Sequence, residues 1–516
     1  MMNQGLLPFK YDSTKKSGLT ALAGLPMFFE LGHALGLLAS IEKHVRVRSN
    51  SQGWTDVEHL MGLVLLNLAG GEHVEDLDRL EADEGLSQVM LRLRSSRQGR
   101  KKGRELQRRW RKGQMRAFSS RSAVRRYLKE FHDPAQEVER QAALEAGVRA
   151  FIPTPNEALR GLGRVCADLV ARVQRHHRVT TATLDQDATL AMCNKKEALY
   201  CYKGPKAYQP FNTWWAEQQL MLHTEFRDGN VPAGHEQLRC LQEALACLPE
   251  GVEKVFLRSD TAGYQHELMR YCAEGKHPRF EVIEFCIGSD VSREFKAAVQ
   301  TVRKEDWHRL HRIDESGQRV ATNQEWAEVC FVPSDDRRPK DAVPYRYLAI
   351  REPMSDPELP GMEKKDAELP FPTMHFGAAR KRYKLFGMVT NRTQSAEELI
   401  GWHRERCGKS EEVHEILKSD LAGGVLPSGD FGANAAWWWV TVLSFNLLMA
   451  MKRLALPKEW LPRRLKSIRF HLIALPGQVV RHARQLVIQL GGSATSGHLL
   501  ILARKAIASL LPAPAT

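Results

Sequence analysis

The sequence predicts a multidomain α/β chain: a mixed-sheet core interrupted by a β-rich insertion and flanked by helical N- and C-terminal regions. Three observations predict it. Apolar residues recur with a helical period over most of the first 176 positions and again after 393. The period becomes strand-like at Val179, and strand-like runs return between 288 and 392, separated by polar, proline-rich stretches. At 516 residues the chain exceeds one compact core, and length alone suggests roughly three to four domains.

Residues 1–90 read as a helical N-terminal region. LPMFFELGHALGLLASIEKHV and TDVEHLMGLVLLNLAGG carry helix-period apolar positions, Gly70-Gly71 gives a stop, and HVEDLDRLEADEGLSQVML is a third helical stretch. Short helices with tight turns suit a helix-turn-helix module or an ordinary bundle, and both stay open. Residues 91–178 combine a basic segment with a helical linker. From Arg92 to Lys129 arginine and lysine crowd together, with Glu105 almost the only acid. Repulsion should keep such a run from compact folding unless an anion neutralises it, and the phosphate backbone of double-stranded DNA is the obvious anion. Arg100, Lys101, Lys102, Arg108, Arg109, Arg111 and Lys112 are the candidate contacts, with Trp110 and Phe118 placed to stack or to anchor. The net charge of +14 has the sign a polyanionic partner needs.

The core begins at 179. TTATLDQDATL, YQPFNTWWAE and LMLHTEFRDG read as strands, followed by a helix (HEQLRCLQEALACL), a strand (KVFLRSD), a helix (GYQHELMRYC) and a strand (FEVIEFCI). The order βββαβαβ, closed by one more helix, is that of the ribonuclease H fold. Residues 179–287 form the first part of this core. The β-rich insertion over 288–392 holds the strands AEVCFV, PYRYLAIRE and KLFGMVTN. The second part, 393–451, carries the closing helix SAEELIGWHRERCGKSEEVHEILKSDLAGG. Residues 452–516 read as a basic helical tail, including VVRHARQLVIQLGG. The apolar run at 435–451 falls short of the ~20 residues that cross a bilayer and reads as a helix buried on most of its surface. No membrane partner is expected.

Three elements offer acids suited to chemistry on phosphates. Asp185 and Asp187 lie two apart on one strand and therefore share a face with Thr183 and Thr189. Carboxylates inside a strand that should be buried are costly unless paired or holding a metal. Asp260 ends an apolar strand at its C-terminal tip, where sites form in open α/β sheets. On the closing helix, Glu411, Glu415 and Lys418 share one face at 100° per residue, opposite Val413, Ile416 and Leu417, and geometry alone does not choose between the two glutamates.

The run LDQDATL…KKEALYCYKGPKAYQPF…EFRDGNVPAGH…VFLRSDTAGY…KLFGMVTN…EEVHEILKSDLAGG resembles, over about 180–450, the DDE transposases of bacterial insertion sequences. It is most similar to the branch with a Tyr-Arg-Glu-Lys signature and a β insertion. The resemblance implies a catalytic triad of Asp187, Asp260 and Glu411 that holds two Mg²⁺ ions, with Mn²⁺ as a substitute. Thr189, Lys418 and Asp185 would support it. Cys407 and Arg404 stand where the signature has Arg and Tyr, which leaves Arg406 as the nearest replacement arginine. Also implied are terminal inverted repeats and target DNA as partners, a homodimer in the synaptic complex, and the bacterial cytoplasm.

Two rivals remain at this stage. One is an inactive, transposase-derived DNA-binding protein. The other is a haloacid-dehalogenase-type phosphatase with Asp185 as nucleophile and Asp187 as acid/base, though the strands after Asp187 read as antiparallel. Nine scattered cysteines without a Cys-x-x-Cys pair point away from a disulfide scaffold or structural zinc, and toward a reducing compartment. MMNQGLLPFKYDSTKK lacks the charged-then-apolar order of a signal peptide.

Overall fold

The computed structural model describes residues 17–47, 53–97, 100–113, 115–148, 150–314, 316–334, 344–354, 369, 371–377, 381–483 and 485–511. Residues 1–16 and most of the proline-rich stretches of the insertion lie outside this set. The described chain divides into two compact units: 1–133 with 155–176 and 416–516, and 134–154 with 177–415. The division falls at 415/416, so the apolar helix belongs with the N-terminal helices.

That helix, Phe431–Ala450, is buried at all twenty positions. In the same unit, the helices Asp56–Ala69 and Glu157–His176 pack on it. Its few polar groups are met internally: Ser444 donates to the Val440 carbonyl at 2.8 Å, and Asn446 reaches Cys166 Sγ at 3.3 Å. Among the described residues no helix is long and apolar enough to cross a membrane. All nine cysteines are free.

The N-terminal helices form as the sequence suggests, with finer punctuation. Gly36, at φ 70°, splits the first stretch into Pro26–Ala34 and Leu37–His44. Thr55 and Glu58 build a reciprocal cap on Asp56–Ala69, and Gly70, at φ 95°, ends that helix. Asp83 breaks the third stretch and caps the helix Glu84–Ser96 through Leu86 N–H.

Two expectations are refined. The basic run, expected to resist compact folding unless an anion neutralises it, is helical, with helices Arg100–Arg111 and Arg121–Lys129. Acids remote in sequence supply the counter-charge on its flanks: Arg94 pairs with Glu58, Arg97 with Glu42, Arg116 with Asp78, and Arg125 with Glu75. The helix Arg100–Arg111 lies on its predecessor because Gly103 leaves no room for a side chain against the Ser95 carbonyl. Gln107 adds a bond to Ser95 Oγ at 3.0 Å. Phe118 is buried and anchors the segment; the side chain of Trp110 lies outside the described residues. The second correction concerns the tail. VVRHARQLVIQLGG forms a hairpin, Gly477–His482 with Gln485–Leu490, which pairs with Leu19–Thr20. Its half-buried residues Leu486, Ile488 and Leu490 alternate with more exposed ones, the period of two of a strand with one covered face.

The second unit is built on a ten-stranded mixed sheet. Its strands are β1 (Thr181–Ala188), β2 (Phe211–Trp215), β3 (Leu220–Glu225), β4 (Lys254–Ser259), β5 (Glu284–Ser289), β6 (His308–Ile313), β7 (Arg319–Val329), β8 (Arg346–Pro353), β9 (Thr373–Phe376) and β10 (Lys381–Thr390). The order is β6-β7-β8-β10-β5-β4-β1-β2-β3, with β9 on β10. β1 runs antiparallel to β2 and parallel to β4, and β4 parallel to β5. The insertion strands extend the same sheet, because β10 pairs with β5. Helices Gln237–Ala246 and His266–Ala273 connect β3 to β4 and β4 to β5.

Two glycines test the packing of the first unit. At Gly62, inside Asp56–Ala69, an added methyl would meet only Phe118 Cδ1, at 3.9 Å. Gly62→Ala should therefore stabilise by about 1 kcal/mol through helix propensity. At Gly432 the methyl would collide with the Phe131 carbonyl and His132 Cα. Gly432→Ala should lower stability by about 2 kcal/mol or more. Urea melts of both variants check this pair, and equal effects would refute it.

Candidate active site

β1 delivers its two aspartates to different fates. Asp185 is 2% exposed and lies directly opposite Arg258 of β4 in the parallel register. Arg258 Nε and Nη2 donate to its two oxygens at 2.6 and 2.8 Å. The guanidinium's remaining nitrogen, Nη1, donates to the Trp402 carbonyl at 2.6 Å and to Glu405 at 3.0 Å. Burial pushes the Asp185 carboxyl up, and Arg258 pulls it back. Buried and clamped through both oxygens by Arg258, Asp185 is not presented to a substrate, so the phosphatase reading loses its nucleophile.

Asp187 is the open one. Its side chain is 25% exposed, and Arg406 Nη2 stands 3.5 Å from Oδ2. Its pKa is pushed up to about 7, first by burial, then by repulsion from Asp260 and Glu411, against the pull of Arg406. Asp187 is thus within electrostatic reach of Arg406, Asp260 and Glu411. Asp260 follows the last residue of β4, and its Oδ1 caps the turn Thr261–Gly263 through Ala262 N–H at 3.0 Å. Thr189 is buried just past β1, its N–H donating to the Pro210 carbonyl at 2.9 Å.

The closing helix is two helices, which corrects the single one expected. Ala396–Arg404 and Lys409–Glu415 are separated at Gly408, which has φ 77°. Glu411 accepts from the Gly408 N–H at 2.6 Å, so its carboxylate turns back to the start of its own helix. Glu412 pairs with Lys409 instead, at 3.0 Å. Residues Ile416–Asp420 have π geometry, so the α-helical wheel that aligned Glu411 with Lys418 stops at Glu415. Cys407 is exposed, while Arg406 is buried with its Nε lacking a hydrogen-bond partner among the described residues. Also among the described residues, no three His, Cys, Asp or Glu side chains stand close enough to hold a metal ion as they are.

Buried polar bonds that sequence reasoning missed fix the three carriers together. His403 Nε2 donates to the carbonyl of Ser259, the residue before Asp260, at 3.0 Å. Burial pulls that imidazole down to about 4, so it is neutral near pH 7. Asn212, the cross-strand partner of Asp187, donates to His414 Nε2 at 3.2 Å and accepts from Thr224 at 2.6 Å. Arg258 does the same for β1, β4 and the helix Ala396–Arg404. The sequence held a signal for Arg258: a cation two residues before Asp260 on an otherwise apolar strand, matching Asp185 two residues before Asp187.

The family model described as Transposase DDE domain group 1 matches residues 14–351 and 362–512. The chain belongs to the DDE transposases. Among solved structures, the transposase is similar to the piggyBac transposase synaptic complex with hairpin DNA, at 9% identity and a TM-score of 0.45. That match covers 97% of this chain and 89% of the other, and is too distant to carry residue correspondences. No curated protein matches.

Two measurements probe the electrostatics. Arg258→Met should cost about 3–5 kcal/mol by stranding the buried Asp185, and adding Asp185→Leu should recover most of it. Urea melts decide; a double variant no better than the single would mean the pair is not what joins β1 to β4. Asp187 holds its proton more tightly in the folded chain than in the unfolded one. Its contribution to stability is therefore full below about pH 4 and lost as pH rises through about 7. In EDTA, Asp187→Asn should raise the melting temperature at about pH 8, with the gap narrowing toward about pH 5. A gap independent of pH would contradict the shift.

Proposed function

We propose that this transposase binds the terminal inverted repeats of an insertion sequence and cuts and joins DNA strands at Asp187, Asp260 and Glu411. The observation that carries the reading is the parallel register of β1 and β4, which pairs Gln186 with Ser259 and so brings Asp187 and Asp260 to the same end of adjacent strands, with Glu411 near enough to press on Asp187. Like charges held together in a half-buried place are stabilised by a cation, and an all-oxygen donor set suits Mg²⁺ or Mn²⁺. The three carboxylates would hold two such ions, which supply charge stabilisation at the phosphate and activate water or a 3′ hydroxyl. Arg406 screens Asp187 meanwhile, and Asp185 and Thr189 support the site. The order β3-β2-β1-β4-β5 supports a ribonuclease H-like core. A homodimer in the synaptic complex, target DNA as second substrate, a bacterial cytoplasmic setting and membership of the Tyr-Arg-Glu-Lys branch complete the proposal.

Asp187→Asn, Asp260→Asn and Glu411→Gln should each abolish Mg²⁺-dependent cleavage of a labelled element end and leave end binding within about twofold, because phosphate affinity comes from Lys and Arg. Glu412→Gln should cleave normally. Mg²⁺ should raise the melting temperature of the wild type but not of Asp187→Asn. Normal cleavage by Glu411→Gln would remove it from the site, and a wild type that binds ends without cutting would return the inactive reading.

Duplex binding is proposed to use the helix Arg100–Arg111. Lys101, Lys102, Arg108, Arg109 and Lys112 are exposed, and among the described residues no acid pairs with them. The side chains of Arg100 and Arg111 lie outside the described residues. Changing those five to Gln should weaken binding about equally on cognate and scrambled duplexes. The log–log salt slope should flatten by about 0.9 for each phosphate no longer neutralised. An unchanged slope in a salt titration would place duplex binding elsewhere on the protein.

A further inference from the structure

Between β1 and β2 the chain leaves the main sheet to form a small one from Ala191–Met192, Leu199–Tyr200 and Lys206–Tyr208. This flap is built, not slack. Its neck is closed by the Thr189 N–H to Pro210 bond and by a bridge between Tyr208 and Asp228. Its base is clamped by Arg140, which is buried. The guanidinium donates to both Asp228 oxygens, at 2.6 and 2.7 Å, and to the Glu197 carbonyl at 2.8 Å.

What the flap presents is unusual for a surface. Tyr200 and Tyr202 are 68% and 76% exposed. Four lysines (Lys195, Lys196, Lys203 and Lys206) share residues 192–206 with one acid, Glu197. The Lys203 and Lys206 ammonium groups lie 5.7 and 5.6 Å from the Tyr202 and Tyr200 ring centres. Lys206 also donates to the Lys196 carbonyl at 2.7 Å, which fixes the tip. No ion pair among the described residues neutralises these lysines. Rings so exposed add little to the fold, whereas aromatic faces among cations are the composition that holds unpaired nucleic acid strands.

We propose that this flap binds an unpaired DNA strand, with Tyr200 and Tyr202 stacking on bases and Lys195, Lys196 and Lys203 holding phosphates. The inference rests on the DNA-cleaving reading above, since the flap leaves the strand that carries Asp187 directly after Ala188. Its consequence is a preference for ends whose strands are opened.

The test uses the full-length protein in EDTA, so that binding is read without cleavage. The probes are a single-stranded oligonucleotide containing 2-aminopurine and its matched duplex. Tyr200→Ala with Tyr202→Ala should weaken single-strand binding at least about tenfold and abolish 2-aminopurine quenching. Duplex affinity and melting temperature should stay unchanged. The double Phe variant should bind as the wild type does. Changing Lys195, Lys196 and Lys203 to Gln should flatten the single-strand salt slope by about 0.7 for each phosphate no longer neutralised. Unaltered single-strand affinity in the Ala variant, or an equal loss on duplex, would overturn the proposal. A wild type that holds single strands through the tyrosines yet never cuts an element end would sink the catalytic reading alone.

Discussion

The second unit depends first on one buried bond. Asp185 and Arg258 face each other across β1 and β4, and that pairing makes it possible for two buried strands to carry a charge each in a sheet interior. Without Arg258, Asp185 would be a desolvated charge with no partner, a state that proteins avoid at a cost of several kcal/mol. With it, the two strands are locked in the register that sets Asp187 beside Asp260. The same guanidinium reaches the carbonyl of Trp402, so the helix leading toward Glu411 is referenced to the same point. One cation thus ties together the two strands that lead to Asp187 and Asp260.

The site carries its own tension. Bringing acids together raises the free energy of the ionised state, and the protein offsets this only in part, by leaving Arg406 at 3.5 Å from Asp187. Glu411 is withdrawn to the Gly408 N–H. The carboxylates are therefore near one another without being closed into a cage. That arrangement keeps repulsion tolerable while leaving the groups available.

Much of this was legible in the residues. The strands and helices from β1 to β5 follow the alternation and spacing of the sequence, because each is amphipathic or uniformly apolar in a way that admits one reading. What failed did so for physical reasons. The closing helix breaks at Gly408, where one left-handed residue outweighs a continuous helical pattern. The tail hairpin was misread because its apolar residues suit either period, and pairing with Leu19–Thr20, over 450 positions away, decides between them. Charge counting along the basic run missed its partners for the same reason: Glu42, Glu58, Glu75 and Asp78 come to it only through folding. Asp187 and Asp260 could be singled out as acids misplaced in apolar strands, whereas Glu411 needed a family pattern, since an exposed glutamate on a helix is ordinary.

The first unit is assembled from three stretches of chain, and its central helix, Phe431–Ala450, is contributed by the last of them. A product that ends before residue 431 lacks the piece around which its own beginning folds. Premature stop codons and frameshifts ahead of residue 431 therefore leave the N-terminal helices without the apolar helix on which they pack.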